Sequence, residues 1–254
     1  MILDQFRLDH KVAMVTGSGQ GLGQGMSLAL AEAGADIAGV DIGPAPETEQ
    51  RVKALGHAYY HQQANLIQSA VPDLHKLVDN VVAHYGRIDI LVNNAGIIRR
   101  APLLEHTEKD WDDVIQINLK AVFFLCQAAA RHFVPQGSGK IINIASLLAF
   151  QGGILIPGYT ASKSGVAGIT KLLSNELAGK GINANAIAPG YMATANTSAL
   201  RADAERSEAI LARIPAGRWG TPADLMGTIV FLASSASDYV NGAVLNVDGG
   251  WLGR

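Results

Sequence analysis

Directly after a short β-branched run, Lys11 to Val15, the chain reads Thr16-Gly17-Ser18-Gly19-Gln20-Gly21-Leu22-Gly23 and passes into an apolar helical pattern. That pattern runs from about Leu22 to Ala33 and stops at Gly34, a residue suited to a left-handed helix cap. Glycines spaced this way between a strand and a helix serve a tight turn whose backbone N–H groups stay uncovered, next to the positive end of the helix. The junction therefore predicts strand, turn and helix as the first unit of the fold.

The unit recurs. Asp36 to Val40, Ile88 to Val92, Lys140 to Ile144, Ala184 to Ala188 and Ala243 to Val247 read as buried strands, and His57 to Gln62 as a weaker one. They are continuous apolar runs with helical patterns between them, which is how a parallel sheet covered on both faces reads. The expectation is an α/β fold, a Rossmann-type doubly wound parallel sheet flanked by helices, with all 254 residues in a single dinucleotide-binding catalytic domain. A helix is predicted from Thr107, with Asp110 completing a variant capping box, to about Phe133, and another from Gly158 to about Ala178. Thr221 followed by Pro222 marks a third helix start. Pro189 to about Thr197 lacks apolar periodicity and is predicted to be a mobile loop.

The formal charge of -2 comes from 20 basic and 22 acidic residues without a lysine-rich run, so nucleic acid is not an expected partner. No apolar run reads as long enough to span a membrane, and Met1 to Lys11 lacks the apolar core of a signal peptide. A cytoplasmic protein is expected. The single cysteine, Cys126, excludes an internal disulfide and sits in an apolar helical pattern, where a buried structural thiol is expected. No metal is expected.

In the glycine turn a pyrophosphate can reach the backbone, and Asp41, at the end of the second strand, can accept hydrogen bonds from an adenosine ribose. The same carboxylate repels a 2′-phosphate, and neither the turn nor Ile42 supplies a cation, so NAD is expected over NADP. Tyr159 and Lys163 share one face of a helix, and Ser146 follows a strand at the sheet's carboxyl end. A phenol is a poor base near neutrality, but a neighbouring ammonium and a nicotinamide cation favour its phenolate. Tyr159 can then exchange a proton with an alcohol oxygen held by Ser146. Asn118 reads either as a helix-bending structural amide or as a link, through water, to Lys163.

Taken together these residues resemble the short-chain dehydrogenase/reductase family over nearly the whole chain. Thr16 to Gly23 is similar to its TGxxxGxG loop and Asn93-Asn94-Ala95-Gly96 to its NNAG stretch. Asn118, Ser146, Tyr159 and Lys163 are similar to its catalytic tetrad, Pro189-Gly190 to its nicotinamide-side turn, and Thr194 to the polar residue that meets the carboxamide. The resemblance implies Tyr159 as acid/base, Lys163 also on the nicotinamide ribose, Ser146 orienting substrate and Asn118 in a proton relay. It extends the cofactor set to Gly17, Gly19, Gln20, Gly21, Leu22, Gly23, Asp41, Ile42, Asn93, Ala95, Gly96, Pro189, Gly190, Met192 and Thr194. Asn65-Leu66 departs from the family's usual aspartate; Asn65 is expected to contact adenine or else to be a turn residue.

Ile97-Ile98-Arg99-Arg100, Ser146 to Gly153, Ile187 to Thr194 and Ile214 to Gly220 look like the family's sugar-acid branch, implying a keto-deoxy sugar acid from uronate breakdown. Arg99 and Arg100 are candidates for its carboxylate, with solvent-facing arginines as the alternative. Gln151 and Tyr191 are candidates for its hydroxyls, and Met192 for closing the loop over it. Two other functions remain open: a reductase of another polyol or of a 3-oxoacyl thioester, and a non-catalytic NAD-sensing protein. The resemblance also implies a homotetramer, consistent with small residues Ala161, Ser164, Gly165 and Gly168 on the Tyr159 helix.

Overall fold

The computed structural model describes residues 1–253. In chain order its elements are β1 (Val12–Thr16), α1 (Gly21–Glu32), β2 (Asp36–Asp41), α2 (Pro46–Ala54), β3 (Tyr59–Gln63), α3 (Val71–Tyr85) and β4 (Ile90–Asn93), followed by α4 (Glu108–Ile115) and α5 (Ala121–Gln136). Then come β5 (Gly139–Ile144), α6 (Pro157–Leu177), β6 (Ile182–Pro189), α7 (Ser198–Ala202), α8 (Ala204–Arg213), α9 (Ala223–Ala233) and β7 (Val244–Val247). The seven strands form one sheet, ordered β3-β2-β1-β4-β5-β6-β7, and every pair is parallel. The chain reverses its direction of travel across the sheet between β1 and β4, and in such folds the crevice at the carboxyl ends of those strands is where ligands bind.

Alternation along each strand feeds two cores. Ala13 and Val15 of β1 pack with Met26 and Leu30 of α1 and with Leu225 and Ile229 of α9. Met14, between them, packs on the other face with Leu74 and Val78 of α3, Leu125 of α5 and Val166 of α6. Both faces are dry, which is why the strands read as unbroken apolar runs.

The predicted strands and the α1 and α6 helices appear within a few residues of their expected ends, and Gly34 takes the left-handed cap geometry at φ 114°. Four expectations need correction. The helix after Thr107 is not uniform: a wide π turn, Gln116–Lys120, interrupts it, and it continues past Phe133 to Gln136. Thr107 does cap it, accepting from the Asp110 N–H at 3.1 Å. At Thr221-Pro222 the helix starts one residue later than expected, at Ala223, because the Asp224 carboxylate turns back to accept from the Thr221 N–H at 2.7 Å and is held by Arg218 at 2.6 Å. The segment after β6 is tied down rather than loose: Pro189 belongs to the strand, Met192 is buried and bridges to Gly220, and the Ala193 N–H donates to the Gly220 carbonyl at 2.7 Å. The run Glu108–Gln136 has the length and apolarity to cross a bilayer, against the expectation that none does; half of its most apolar stretch is buried inside this fold, where it covers the sheet.

Candidate active site

The glycine turn is held open by contacts that leave no room for side chains. Gly17 has φ 68°, and a Cβ on it would lie 2.8 Å from Asn94 Nδ2; a Cβ on Gly23 would overlap the Gly17 carbonyl oxygen. Asn94 fastens the turn to β4, donating from Nδ2 to the carbonyls of Thr16 (2.9 Å) and Gly17 (3.2 Å). The N–H groups that open α1 therefore face a cleft of about 430 Å³ rather than side chains. Gly17, Gln20, Gly21, Leu22 and Gly23 line one end of it. A larger groove, of about 810 Å³, lies at the opposite, amino ends of the strands among Lys11, Asp89 and Lys140, and holds none of the candidate residues.

At the β2 end of the cleft Asp41 and Ile42 project beside the turn. Asp41 accepts from the Gly19 N–H at 2.8 Å and the Ile42 N–H at 2.7 Å, so its charge is fixed in place by backbone. Gly19 touches the site through this bond, and a Cβ on it would fall 2.9 Å from the carboxylate. Past β3, Leu66 is buried and Asn65 lines the cleft, but the Asn65 amide oxygen accepts from the Ile67 N–H at 3.1 Å and so makes a side-chain turn of its own. Beyond β4, Ala95 and Gly96 line the floor. Asn93 does not: it is buried beneath, donating to Asn143 Oδ1 (2.9 Å) and Cys126 Sγ (3.1 Å). Strand alternation accounts for the exchange, since Asn93 ends β4 with its side chain in the core and Asn94, not singled out from sequence, turns to the glycine loop.

The other end of the cleft holds Ser146, Tyr159 and Lys163 together. Lys163 is buried and donates to the Ile144 carbonyl at 2.6 Å; its ammonium lies 5.6 Å from the centre of the Tyr159 ring. Burial pulls its pKa down to about 8. Burial acts the opposite way on the Tyr159 phenol, raising it above its ordinary value, while the hydrogen bond from Ser146 and the positive charge of Arg100 pull it back. The expectation named a neighbouring ammonium together with a nicotinamide cation; in the protein by itself desolvation dominates, and Ser146 and Arg100 are the opposing groups. Ser146 Oγ accepts from the Leu148 N–H at 3.2 Å, so its one proton is directed to the Tyr159 oxygen and can turn to a bound oxygen in its place.

Asn118 lies in the π turn, fully buried and off the cleft surface. Its amide brackets one residue, accepting from the Ile97 N–H at 2.9 Å and donating to the Ile97 carbonyl at 3.0 Å, with a further bond to Ser162 Oγ at 3.2 Å. The wider turn brings that amide to the loop after β4; the structural part of its expected role is present here. Pro189, Gly190, Met192 and Thr194 close the same end of the cleft from β6.

The substrate candidates divide. Arg99 is taken up by the carboxylates of Asp110 (3.4 Å) and Asp113 (3.5 Å) on α4, so it is not free for an acid. Arg100 instead reaches over to the Asn196 carbonyl at 3.1 Å, a neutral partner. Gln151 accepts from the Trp251 indole N–H at 3.2 Å, and Tyr191 packs between Trp219 and Trp251, its ring 4.7 Å from the latter. Neither lines the cleft; Tyr191 belongs to a small apolar cluster with Leu147, Ile210, Ile214 and Trp251 that seats α8 against the segment after Ser146, and Gln151 joins it through the Trp251 bond. Met192 is buried, its side chain filling the space left by Gly220, and it lines the cleft from there. Trp251 was not singled out from sequence, and nothing in its local pattern marks it.

Comparison with known proteins gives a consistent picture. The family described as Enoyl-(Acyl carrier protein) reductase, of the short-chain dehydrogenase type, matches residues 17–252. A protein of Escherichia coli (strain K12) named 2-dehydro-3-deoxy-D-gluconate 5-dehydrogenase is 62% identical over 255 residues, covering 100% of both chains. One of the same name from Dickeya dadantii (strain 3937) is 60% identical with the same coverage. Among solved structures, a gluconate 5-dehydrogenase from Burkholderia cenocepacia J2315 in complex with NADP and tartrate is 42% identical, covers 100% of each chain and superposes with a TM-score of 0.95.

Proposed function

The chain belongs to the short-chain dehydrogenase/reductase family, and on that premise we propose that it interconverts 2-dehydro-3-deoxy-D-gluconate and 3-deoxy-hexodiulosonate with NAD as cofactor. The observation that carries this reading is the meeting of Ser146, Tyr159 and Lys163 in one cleft with a glycine turn shaped for a dinucleotide. The names of the Escherichia coli and Dickeya dadantii relatives support the substrate.

Bound nicotinamide supplies the hydride acceptor in one direction and the donor in the other. The chain's own residues do the rest. Gly17 to Gly23 and the N-terminus of α1 hold the pyrophosphate, Asp41 the adenosine ribose, and Asn65 and Leu66 the adenine side. Gly190, Met192 and Thr194 bound the nicotinamide side. Ser146 donates to the reacting oxygen and Tyr159 takes its proton in oxidation or returns one in reduction. Lys163, as an ammonium, binds the nicotinamide ribose and stabilises the phenolate, and Asn118 sets the loop after β4 through Ile97. Arg100 holds the substrate carboxylate: its present partner is a carbonyl, which a carboxylate outcompetes for a guanidinium.

NAD preference rests on Asp41, whose two oxygens are anchored by Gly19 and Ile42 and cannot swing aside for a phosphate. The Burkholderia cenocepacia relative was solved with NADP, so the two cofactors are to be compared directly. We include a homotetramer in the same reading.

The test is NADH and NADPH oxidation with 3-deoxy-hexodiulosonate, and NAD and NADP reduction with 2-dehydro-3-deoxy-D-gluconate and 2-deoxy-D-gluconate, for wild type and Tyr159→Phe. Turnover is expected with NADH over NADPH, falling by at least about 100-fold in the variant. Equal or better rates with NADPH remove the cofactor preference. Inactivity on these acids with reduction of other ketones or of a 3-oxoacyl thioester removes the substrate assignment and leaves the chemistry.

A further inference from the structure

β2 is buried at its centre, yet it carries Gly39, which weakens a strand unless something needs the space. Tyr59 takes it. The Tyr59 backbone pairs with Ile37, two residues earlier, and its ring leans diagonally along β2 to lie over Gly39. A Cβ on Gly39 would overlap the Tyr59 hydroxyl and come within 2.5 Å of Ser18 Oγ. Through that gap the hydroxyl meets Ser18 Oγ at 3.1 Å, on the buried underside of the glycine turn. Burial raises the phenol above its ordinary value, so the hydroxyl keeps its proton in the working pH range. A second buried hydroxyl holds the same residue: Thr48 Oγ1 donates to the Ser18 carbonyl at 2.9 Å and accepts from Gln24 Nε2 at 3.1 Å. Neither Tyr59 nor Thr48 lines the cleft.

We infer that Tyr59 is a positioning residue for the cofactor: through Gly39's missing side chain it fixes Ser18, and with Ser18 the course of the glycine turn. The turn is thereby ordered before the dinucleotide arrives, and that ordering does not have to be supplied from binding energy. This rests on reading the cleft as a dinucleotide site. It does not discriminate between NAD and NADP, because Ser18 Oγ faces the sheet, whereas Asp41 does.

The test measures binding of NADH and of NADPH by energy transfer from protein fluorescence to the nicotinamide. Wild type, Tyr59→Phe, Ser18→Ala and the double variant are compared, with kcat at saturating NADH and melting temperature recorded beside. Tyr59→Phe keeps the ring and its packing. Each single variant is expected to weaken NADH binding about fivefold, the scale of one hydrogen bond. The double variant is expected to be no weaker than the singles, kcat of Tyr59→Phe to stay within twofold of wild type, and the NADH to NADPH preference to hold. Normal wild-type binding with an unchanged Kd in Tyr59→Phe, whatever its melting temperature, overturns the positioning role alone, as do fully additive effects in the double variant. Wild type that binds neither dinucleotide overturns both this role and the reading it rests on.

Discussion

Lys163 sits where an ammonium is poorly solvated, with the Ile144 carbonyl as its hydrogen-bond partner, and its pKa of about 8 records the cost. Below pH 8 the lysine is protonated both folded and unfolded, and the fold bears the burial of the charge. Between pH 8 and the ordinary 10.5 the unfolded chain holds the proton that the folded one has lost, so stability rises with pH across that window. The shift corresponds to about 3 kcal/mol. Lys163→Met is therefore expected to be inactive yet more stable than wild type at pH 7, even after losing a hydrogen bond worth about 1 kcal/mol. Urea unfolding at pH 7 and pH 10 checks this: the advantage should shrink at the higher pH, and a variant less stable at pH 7 contradicts it. Arg100 acts on Tyr159 in the opposite sense to burial, so Arg100→Gln is expected to move the rise of alcohol oxidation with pH to higher pH as well as to raise KM for the acid. A KM effect with an unmoved profile would leave Arg100 a substrate contact only. Residue types at helical spacing made Tyr159 and Lys163 legible. Partners from elsewhere in the chain were not: nothing near Arg99 in sequence says that Asp110 and Asp113 claim it, nor near Gln151 that Trp251 does.

At the scale of elements the sequence was most informative where backbone sterics leave few choices. Gly23 sits in the first turn of α1 against the Gly17 carbonyl, so the strand, the turn and the helix are one rigid piece. Gly23→Ala is expected to weaken NADH binding more than tenfold and to lower the melting temperature, since the methyl has backbone and not a flexible side chain to displace. Dinucleotide titration and a thermal melt check it, and near-wild-type binding would mean that the turn yields. Buried strands were legible because both sheet faces are apolar, and their ends were blurred by a residue or two for the same reason. The π turn left no such mark. Apart from Asn118, Ile115 to Leu119 reads as amphipathic helix, and the partners that hold the turn lie far off in sequence, among them Ile97, 21 positions from Asn118. Likewise α8 depends on the apolar cluster around Trp251, which the chain assembles from four separate segments.

For the whole molecule the outer face of α6 carries the remaining question. Ala161 and Gly165 are partly covered and Gly168 is open to solvent, while Leu172, further along, is 45% exposed. A glycine inside an exposed helix costs about 1 kcal/mol against alanine, so its place there needs a reason that the single chain does not supply. A Cβ on Gly168 meets nothing within 4 Å. In the proposed homotetramer, close approach of a second copy along α6 would supply the reason, because a helix without side chains at its contact lets another backbone come near. Gly168→Trp then separates fold from assembly: within one chain the larger side chain has open space and helix propensity improves, whereas across a two-fold contact it would strike its own counterpart. Light scattering is expected to give wild type the mass of four 26.7 kDa chains and the variant a smaller one, with an undiminished melting temperature extrapolated to low concentration. A wild-type mass near that of one chain removes the tetramer; a tetrameric wild type with an equally tetrameric variant moves the contact off this helix.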